Sequence, residues 1–242
     1  MGVASILVLV VAVVAAFLYQ NNPLWFGRSV LDGSASQGEF KVFQQYPALD
    51  DELFDLHKHI GDDFKSYRNH CLRVLTFTKY FLDENAASDG GVNMQQELPN
   101  AMDLAATALA YHDAGLWTDH DMNYLEPSRV RLDETMADVE GFSAHEIRIM
   151  DEIILQHHKV TNYDSTEFTD AENLLINAVR KGDWADATIC LIRFGLPAAL
   201  LEKAYTDVPE AGFHMMLAGM DARLSPGNKI NGTMEVLKIF KW

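Results

Sequence analysis

The sequence predicts an all-α protein, in which one N-terminal membrane helix precedes a helical domain. Three observations predict this class. Residues 2–18 form an unbroken apolar segment, apolar side chains recur at helical spacing from residue 51 onward, and alternating strand patterns are few. The sequence contains no internal repeat and no low-complexity segment that would indicate another architecture.

The first element is predicted to be a membrane anchor over residues 1–20. Residues 2–18 carry no charged side chain, and their length approaches the roughly 20 residues that span a bilayer. Tyr19 and Trp25 follow, and such amphipathic aromatics favour the membrane interface. A cleaved signal peptide is the alternative, but its basic start is missing, because the first basic side chain of the chain is Arg28.

The positive charges nearest to this segment come after it, at Arg28 and Lys41. By the positive-inside rule, their position favours a cytoplasmic location for the helical domain, on a single-pass anchor. Residues 21–50 are predicted to be a linker, because they are rich in Gly, Ser, Gln and Asn and contain two prolines. The helical domain is predicted over residues 51–242, and this range includes a C-terminal helical extension.

The composition limits the partners that the domain can have. Nineteen Lys and Arg residues stand against 35 Asp and Glu residues in a chain of 242, which gives a net charge of −16. Binding to nucleic acid relies on basic side chains at the phosphates, so we expect no nucleic-acid partner. A small-molecule substrate, even a phosphorylated one, is compatible with this charge, because a bound dication reverses the local field. The sequence does not predict an oligomeric state.

The first helices of the domain are predicted from the spacing of apolar side chains. Leu53, Leu56 and Ile60 lie on one face of the first helix, and a second helix is expected over residues 67–83. A third helix is predicted over residues 100–112, which are rich in Ala and Leu and contain no helix breaker.

The later helices are predicted from caps and breakers as well as from spacing. They cover residues 128–139, 143–158, 172–194 and 198–205. Ser143 followed by Glu146 is a capping box, which marks the start of a helix. Gly195 and Pro197 end the long helix before them, and Pro197 also suits the start of the next one.

Four polar side chains stand out because they lie on helices that are otherwise apolar. They are His70, His112, Asp113 and Asp183. A buried carboxylate without a partner is costly, so these groups need one another, a cation or solvent. Neutral imidazoles together with carboxylates suit zinc, manganese, iron or a similar divalent ion. Asp186 competes with Asp183 for the last position.

Three segments, YRNHCLRVL, ALAYHDAG and NAVRKGDWAD, carry these residues in order along the chain. They resemble the three core motifs of the HD-domain metal-dependent phosphohydrolases, and the resemblance covers about residues 55–195. It implies an all-α domain that holds one divalent ion per chain. The implied metal ligands are His70, His112, Asp113 and Asp183. Asp183 is preferred to Asp186 because it follows the apolar helix face in the manner of the family.

The resemblance also implies catalytic roles for Asp113, His157 and His158. Asp113 or Asp183 would orient the attacking water, and His157 would lie near the ion as a proton carrier or a substrate contact. Relatives with two ions carry a His-His pair here and a further histidine in the preceding helix. Neither His120, which lies in a loop, nor His145, which is too near His157 in sequence, fits that place. One ion is therefore predicted.

The implied reaction is hydrolysis of a phosphoester in a nucleotide or another small metabolite, by water that the ion activates. Some relatives instead hydrate cyanamide, and others hold two irons and oxidise their substrate. A hydratase or lyase, a di-iron oxygenase and a non-catalytic membrane-tethered scaffold are therefore kept as alternatives. The loop after His112 and Asp113, the HD doublet, offers four candidate substrate contacts, namely Trp117, His120, Tyr124 and Glu126.

Overall fold

The computed structural model describes residues 40–137, 139, 141–224 and 239–241, and the regular elements in these ranges are helical. The α-helices, numbered in chain order, are α1 (Pro47–Ile60), α2 (Phe64–Ala86), α3 (Met94–Glu97), α4 (Ala101–Tyr111), α5 (Gly115–Thr118), α6 (Leu125–Met136), α7 (Ala144–Gln156), α8 (Asp170–Ala187), α9 (Ala198–Asp207) and α10 (Phe213–Leu224). A 3-10 turn, Gly61–Asp63, joins α1 to α2. The Ser143–Glu146 capping box begins α7 as predicted. For the described residues, the all-α prediction is confirmed.

The prediction of an N-terminal transmembrane helix, and with it of a membrane localisation, is not borne out. In the part of the chain that the structure describes, no helix is both long enough and apolar enough to cross a bilayer. The longest of them, α2, spans 23 residues but carries Lys65, Arg68 and Lys79. Charged side chains are expensive inside a bilayer, so such a helix does not span one. The predicted anchor itself, residues 1–20, lies outside the described residues.

Of the predicted linker, residues 21–50, the structure describes residues 40–50. Phe43 is buried, and its backbone N–H donates to the Thr76 hydroxyl of α2 at 3.1 Å. Pro47 occupies the first turn of α1, where a proline fits because its missing N–H would have no intrahelical acceptor. Residues 40–50 therefore pack against the domain, although their polar composition is typical of a linker.

α8 begins earlier and ends earlier than the sequence predicts. A capping box of Thr169 with Glu172 sets its start, because each side chain accepts a hydrogen bond from the other residue's backbone N–H. After its last turn, Ile189 and Cys190 adopt φ angles of 54° and 58°. These left-handed conformations cannot continue a right-handed helix, so the chain turns away before the predicted end.

The close contact between α2 and α8 brings their polar side chains together. Gly182 of α8 faces the backbone of α2, and a Cβ atom added to it would lie 2.9 Å from the carbonyl oxygen of Val74. A side chain at this position would push the two helices apart, so the approach depends on glycine. α4 packs against α1, α2 and α7, which puts the ends of α4 and α7 beside the α2–α8 contact.

Candidate metal centre

Five polar side chains from four segments of the chain meet in the interior of the domain. His70 lies in α2, His112 and Asp113 follow α4, His157 follows α7, and Asp183 lies in α8. Each of the five residues exposes at most 5% of its surface. The structure therefore brings together the four predicted metal ligands and one of the predicted catalytic histidines.

Hydrogen bonds on one side of each ring orient the three histidines. The Nδ1–H of His70 donates to Oδ2 of Asp186 at 2.7 Å. The Nδ1–H groups of His112 and His157 each donate to the carbonyl oxygen three residues earlier in the chain, again at 2.7 Å. Because a carboxylate or carbonyl oxygen can only accept, each neutral ring keeps its lone pair on Nε2. Nε2 is therefore the atom that these rings offer to a metal.

The Nε2 atoms of His70 and His112 face each other at 3.3 Å. When the rings are neutral, neither atom carries a proton, so no hydrogen bond joins them. Two nitrogens that each lie about 2.0–2.1 Å from one ion, at octahedral or tetrahedral angles, are roughly 2.9–3.4 Å apart. The distance between the two Nε2 atoms is therefore one that two ligands of a shared divalent ion have.

Two carboxylates lie against these nitrogens. Oδ2 of Asp113 is 3.2 Å from Nε2 of His112, and Oδ1 of Asp183 is 3.2 Å from Nε2 of His70. The second oxygen of Asp113 and Nε2 of His157 are buried, 3.5 Å apart, and without a hydrogen-bond partner among the described residues. Unsatisfied buried polar atoms are rare and call for an explanation. A cation beside them would supply one, so the residues present fit a divalent ion.

Two groups of side chains could hold a metal ion, and they share one aspartate. The first group is His70, His112 and Asp113, and the second is Asp113, His157 and His158. Within each group, the candidate ligand atoms lie within 4.8 Å of one another. The prediction of buried His and Asp side chains that could bind metal is confirmed at this level. The number of ions and their identity stay predictions.

Asp183 and Asp186, the two candidates for the last ligand, have different surroundings. Asp186 accepts two hydrogen bonds from Arg73, at 2.6 and 2.7 Å, and one from the Tyr205 hydroxyl at 2.9 Å. It also accepts the Nδ1–H of His70, on the side of the ring opposite to Asp183. A carboxylate behind a metal-binding histidine fixes the orientation of the ring and raises its basicity. This is the position that Asp186 occupies.

Charges at the centre reinforce one another. Burial lowers the pKa of His112, but Asp113 and Asp183 outweigh burial and hold the pKa well above its ordinary value of 6.5. Burial raises the pKa of Asp113, but His112 and His157 outweigh it and hold the pKa well below the ordinary range. Without a metal, His112 therefore keeps a proton that a cation would have to displace.

Aromatic rings hold the two facing histidines in place. Phe213 of α10 stacks on His70, with the ring centroids 4.0 Å apart. Tyr67 stacks on His112 at 5.6 Å, and its hydroxyl oxygen accepts the backbone N–H of Asp113 at 3.2 Å. A single tyrosine thus contacts both members of the HD doublet.

The four loop residues predicted to contact a substrate have separate environments. Tyr124 lines the cavity beside the centre, and its hydroxyl is hydrogen-bonded to Nε2 of His158. Burial and the neighbouring His157 lower the pKa of His158 to about 3, so this ring is neutral. Trp117 is buried and donates its Nε1–H to an acidic side chain just before α2 at 2.9 Å. The other two, His120 and Glu126, are exposed.

Sequence reasoning missed the side chains that hold the ligands in place. Arg73 lies three residues after His70 and so shares its helix face, but its carboxylate partner, Asp186, comes from the distant α8. His214 donates its Nε2–H to the backbone carbonyl of Asp186 at 2.8 Å. No local signal indicates the stacking of Phe213, because that contact joins α10 to the distant α2.

Three comparisons with known proteins gave no match that would identify this centre. No protein-family model, no curated protein and no solved structure matches the chain. Membership of the HD-domain superfamily therefore stays a prediction that rests on the three motifs. The capacity to bind metal rests instead on the distances and burial of the side chains.

Proposed function

We propose that the protein is a metal-dependent hydrolase of the HD-domain superfamily, with His70, His112, Asp113 and Asp183 as the ligands of a divalent ion. The convergence of two Nε2 atoms and two carboxylates on one buried point carries this proposal. Both histidines already use Nδ1 in a hydrogen bond, so Nε2 is the atom left for a ligand bond. The order of the residues along the chain, in three HD-type motifs, supports the same conclusion.

The side chains around this point suit hydrolysis. When bound, a divalent ion would supply a nucleophile from water at neutral pH and would polarise the bond under attack. Oδ1 of Asp113 has no hydrogen-bond partner among the described residues, so it can accept from a water and orient it. Nε2 of His157, 3.5 Å from that oxygen, carries a lone pair and can take up a proton and return it to a leaving group.

The substrate implied by the resemblance is a phosphoester. A specific observation favours hydration of a small uncharged compound as the second candidate. The cavity beside the centre is bounded largely by apolar side chains, among them Trp184, Phe213 and Phe240. Such a wall excludes water and gives a charged substrate little to bind.

Metal analysis of the full-length chain tests the proposal. After loading with zinc, manganese or iron, we expect about one equivalent per chain, and its loss in the His112→Ala/Asp113→Ala double variant. The matched control, Asp55→Ala/His57→Ala, removes the same two residue types from exposed positions on α1. It should keep the metal.

The loaded protein is then assayed with para-nitrophenyl phosphate and its diester. Turnover that needs the metal and disappears in the double variant would support a phosphohydrolase. An unsubstituted chain that binds none of the three ions would contradict the proposal. About two equivalents of iron with oxygen-dependent turnover would favour the oxygenase alternative. Bound metal without turnover of either phosphate would leave two alternatives, hydration of a small uncharged compound and a non-catalytic role.

A further inference from the structure

A cavity with an apolar wall opens directly from the metal-ligand group. Asp113 and Asp183 lie at its base, together with Tyr124 and His158. The wall includes Leu116, Trp184, Phe213, Leu217, Met220 and Phe240. Its volume is about 120 Å³, which is small beside the roughly 300–1,000 Å³ of ordinary ligand pockets. The space suits a compact molecule.

The charges around this cavity do not suit a phosphate group. Among the described residues that line it, there is no lysine and no arginine. The two buried arginines nearby are engaged elsewhere, because Arg73 donates to Asp186 and Arg180 donates to the carbonyl oxygens of Lys159 and Val160. Phosphate recognition in proteins relies on charge-assisted hydrogen bonds from such groups.

The carboxylates at the base of the cavity also disfavour a phosphate group. Asp113 and Asp183 carry two negative charges, which one divalent ion only neutralises. A phosphate dianion would then enter an apolar cavity without compensation for its own charge, and burying an unpaired charge is very costly. An uncharged molecule avoids that cost and gains from burying apolar surface against the wall.

We propose, on the basis of the function proposed above, that this cavity takes a compact, uncharged aromatic or aliphatic substrate that carries one polar reacting group. The apolar body lies against Trp184, Phe213 and Phe240. The polar group lies at the base, where the carboxylates of Asp113 and Asp183 and the Tyr124 hydroxyl offer hydrogen bonds. The Nε1–H of Trp184, buried and without a hydrogen-bond partner among the described residues, is a further donor at the cavity. The cavity therefore selects against phosphorylated metabolites of the same size.

Equilibrium binding of two probes with the same ring tests this selection without any need for turnover. Benzamide is uncharged, and phenylphosphonate is an anion that cannot be hydrolysed to release phosphate. Calorimetry on the zinc-loaded full-length chain would give both dissociation constants. We expect benzamide to bind at least about tenfold more tightly than phenylphosphonate. Equal or tighter binding of phenylphosphonate would overturn the proposal, and so would no binding of benzamide.

A charge added to the wall should change the preference. Leu217→Lys introduces an ammonium group at a partly buried lining position on α10. We expect it to tighten phenylphosphonate binding by about tenfold and to weaken benzamide binding. The matched control is Met215→Lys, which adds the same charge to the same helix at a position that is 77% exposed. An equal gain in both variants would show that the wall does not govern selection.

Metal content of the same samples separates the two proposals. A chain that binds metal but prefers phenylphosphonate overturns the substrate class and leaves the metal-dependent hydrolase standing. A chain that prefers benzamide but never binds metal leaves the cavity assignment standing and overturns the proposed function. Unchanged metal content in Leu217→Lys also shows that this variant is folded.

Discussion

The two sides of the metal centre differ in how completely their polar atoms are engaged. On one side, His70 donates to Asp186 through Nδ1 and stacks on Phe213 at 4.0 Å. Asp186 in turn accepts from Arg73 and Tyr205, so every member of this chain of contacts has a partner. The ring is therefore held before any ion arrives, which is what a preorganised ligand requires.

The other side, around His157 and Asp113, keeps polar atoms that have no hydrogen-bond partner among the described residues. His157 is tied only through Nδ1, while its Nε2 and Oδ1 of Asp113 have no hydrogen-bond partner among the described residues. The cavity opens on this side, next to Asp113 and His158. Under the proposed function, one half of the centre would position the ligands and the other would be left to act on water and substrate. Variants that remove one group from each half can test this division.

The largest effect is expected from Arg73, the buried arginine in the half of the centre that contains His70 and Asp186. Arg73→Met leaves the Asp186 carboxylate buried without its cation, so the free energy of unfolding should fall by about 3–5 kcal/mol. Arg180→Met is the matched control, because Arg180 is equally buried but donates to uncharged oxygens. It should cost only about 1–3 kcal/mol. Denaturant unfolding of both variants checks the difference, and equal losses would show that the Arg73–Asp186 pair is not special.

A smaller effect is expected on metal affinity from the carboxylate behind His70. Asp186→Asn keeps the shape of the side chain but weakens its hold on the ring, and should lower metal affinity by about 10–100-fold without changing the number of ions bound. Asp183→Asn removes a proposed ligand and should lower affinity further. Titration against a competing chelator measures both. If Asp186→Asn abolished binding while Asp183→Asn had little effect, the two aspartates would have the opposite roles.

The pH dependence of metal binding follows from the charges of the centre. Burial lowers the pKa of His70 and His112, but their carboxylate neighbours outweigh it and raise both above 6.5. In the metal-free protein, the protonated rings next to the carboxylates therefore stabilise the fold, and this contribution to the free energy of unfolding is complete below pH 6.5. It is lost as the pH rises through the raised pKa values. A metal must displace these protons, so its affinity should fall as the pH falls, by up to about tenfold per pH unit for each proton.

Calorimetry of metal binding in two buffers with different ionisation enthalpies counts the protons released. The control is Asp55→Ala/His57→Ala, which leaves the centre intact and should release the same number. Binding at neutral pH without proton release would mean that the histidines are already neutral, and would contradict the charge distribution described above.

The ligands of this centre could be predicted from sequence more readily than the residues that support them. His70, His112 and Asp183 are polar residues on apolar helices, and that conflict is visible in the sequence alone. Periodicity and the Ser143 cap likewise predict the helices. The supporting contacts are different, because Asp186 and Arg73 meet across 113 positions of the chain, and no local pattern encodes such a pair.

Two helix boundaries differ from those that the sequence predicts, and both errors have local physical causes. Pro47 reads as part of a linker because prolines break helices, yet it begins α1, where its ring is tolerated. Ile189 lies at the end of α8 with a left-handed φ of 54°, a conformation that β-branched residues rarely adopt. Propensity therefore extends the helix past this residue, whereas local hydrogen bonds end it, among them the one from the Cys190 N–H to the Ala185 carbonyl oxygen. Neither error displaces Asp183, since it lies well inside α8.

The smallest effects are expected from two matched hydroxyl deletions, one in each half. Tyr205→Phe removes a hydrogen bond to Asp186, and Tyr124→Phe removes one to His158. Tyr205→Phe should cost about 1.5–3 kcal/mol of stability, because its bond goes to the ionised Asp186, and Tyr124→Phe about 0.5–1.5 kcal/mol, because its bond to the neutral His158 is uncharged. Their effects on metal should also differ. Tyr205→Phe loosens the support of His70 and should weaken binding of the first ion.

Tyr124→Phe should leave the first ion unaffected, because it removes a bond from the open half. It also frees Nε2 of His158, which belongs to the second possible group with Asp113 and His157. We therefore expect zinc titration of this variant to show a second, weaker site that is less occupied in the unsubstituted chain. If instead Tyr124→Phe weakened the first ion as much as Tyr205→Phe did, the two halves would act as one unit, and the division drawn from their hydrogen bonds would be wrong.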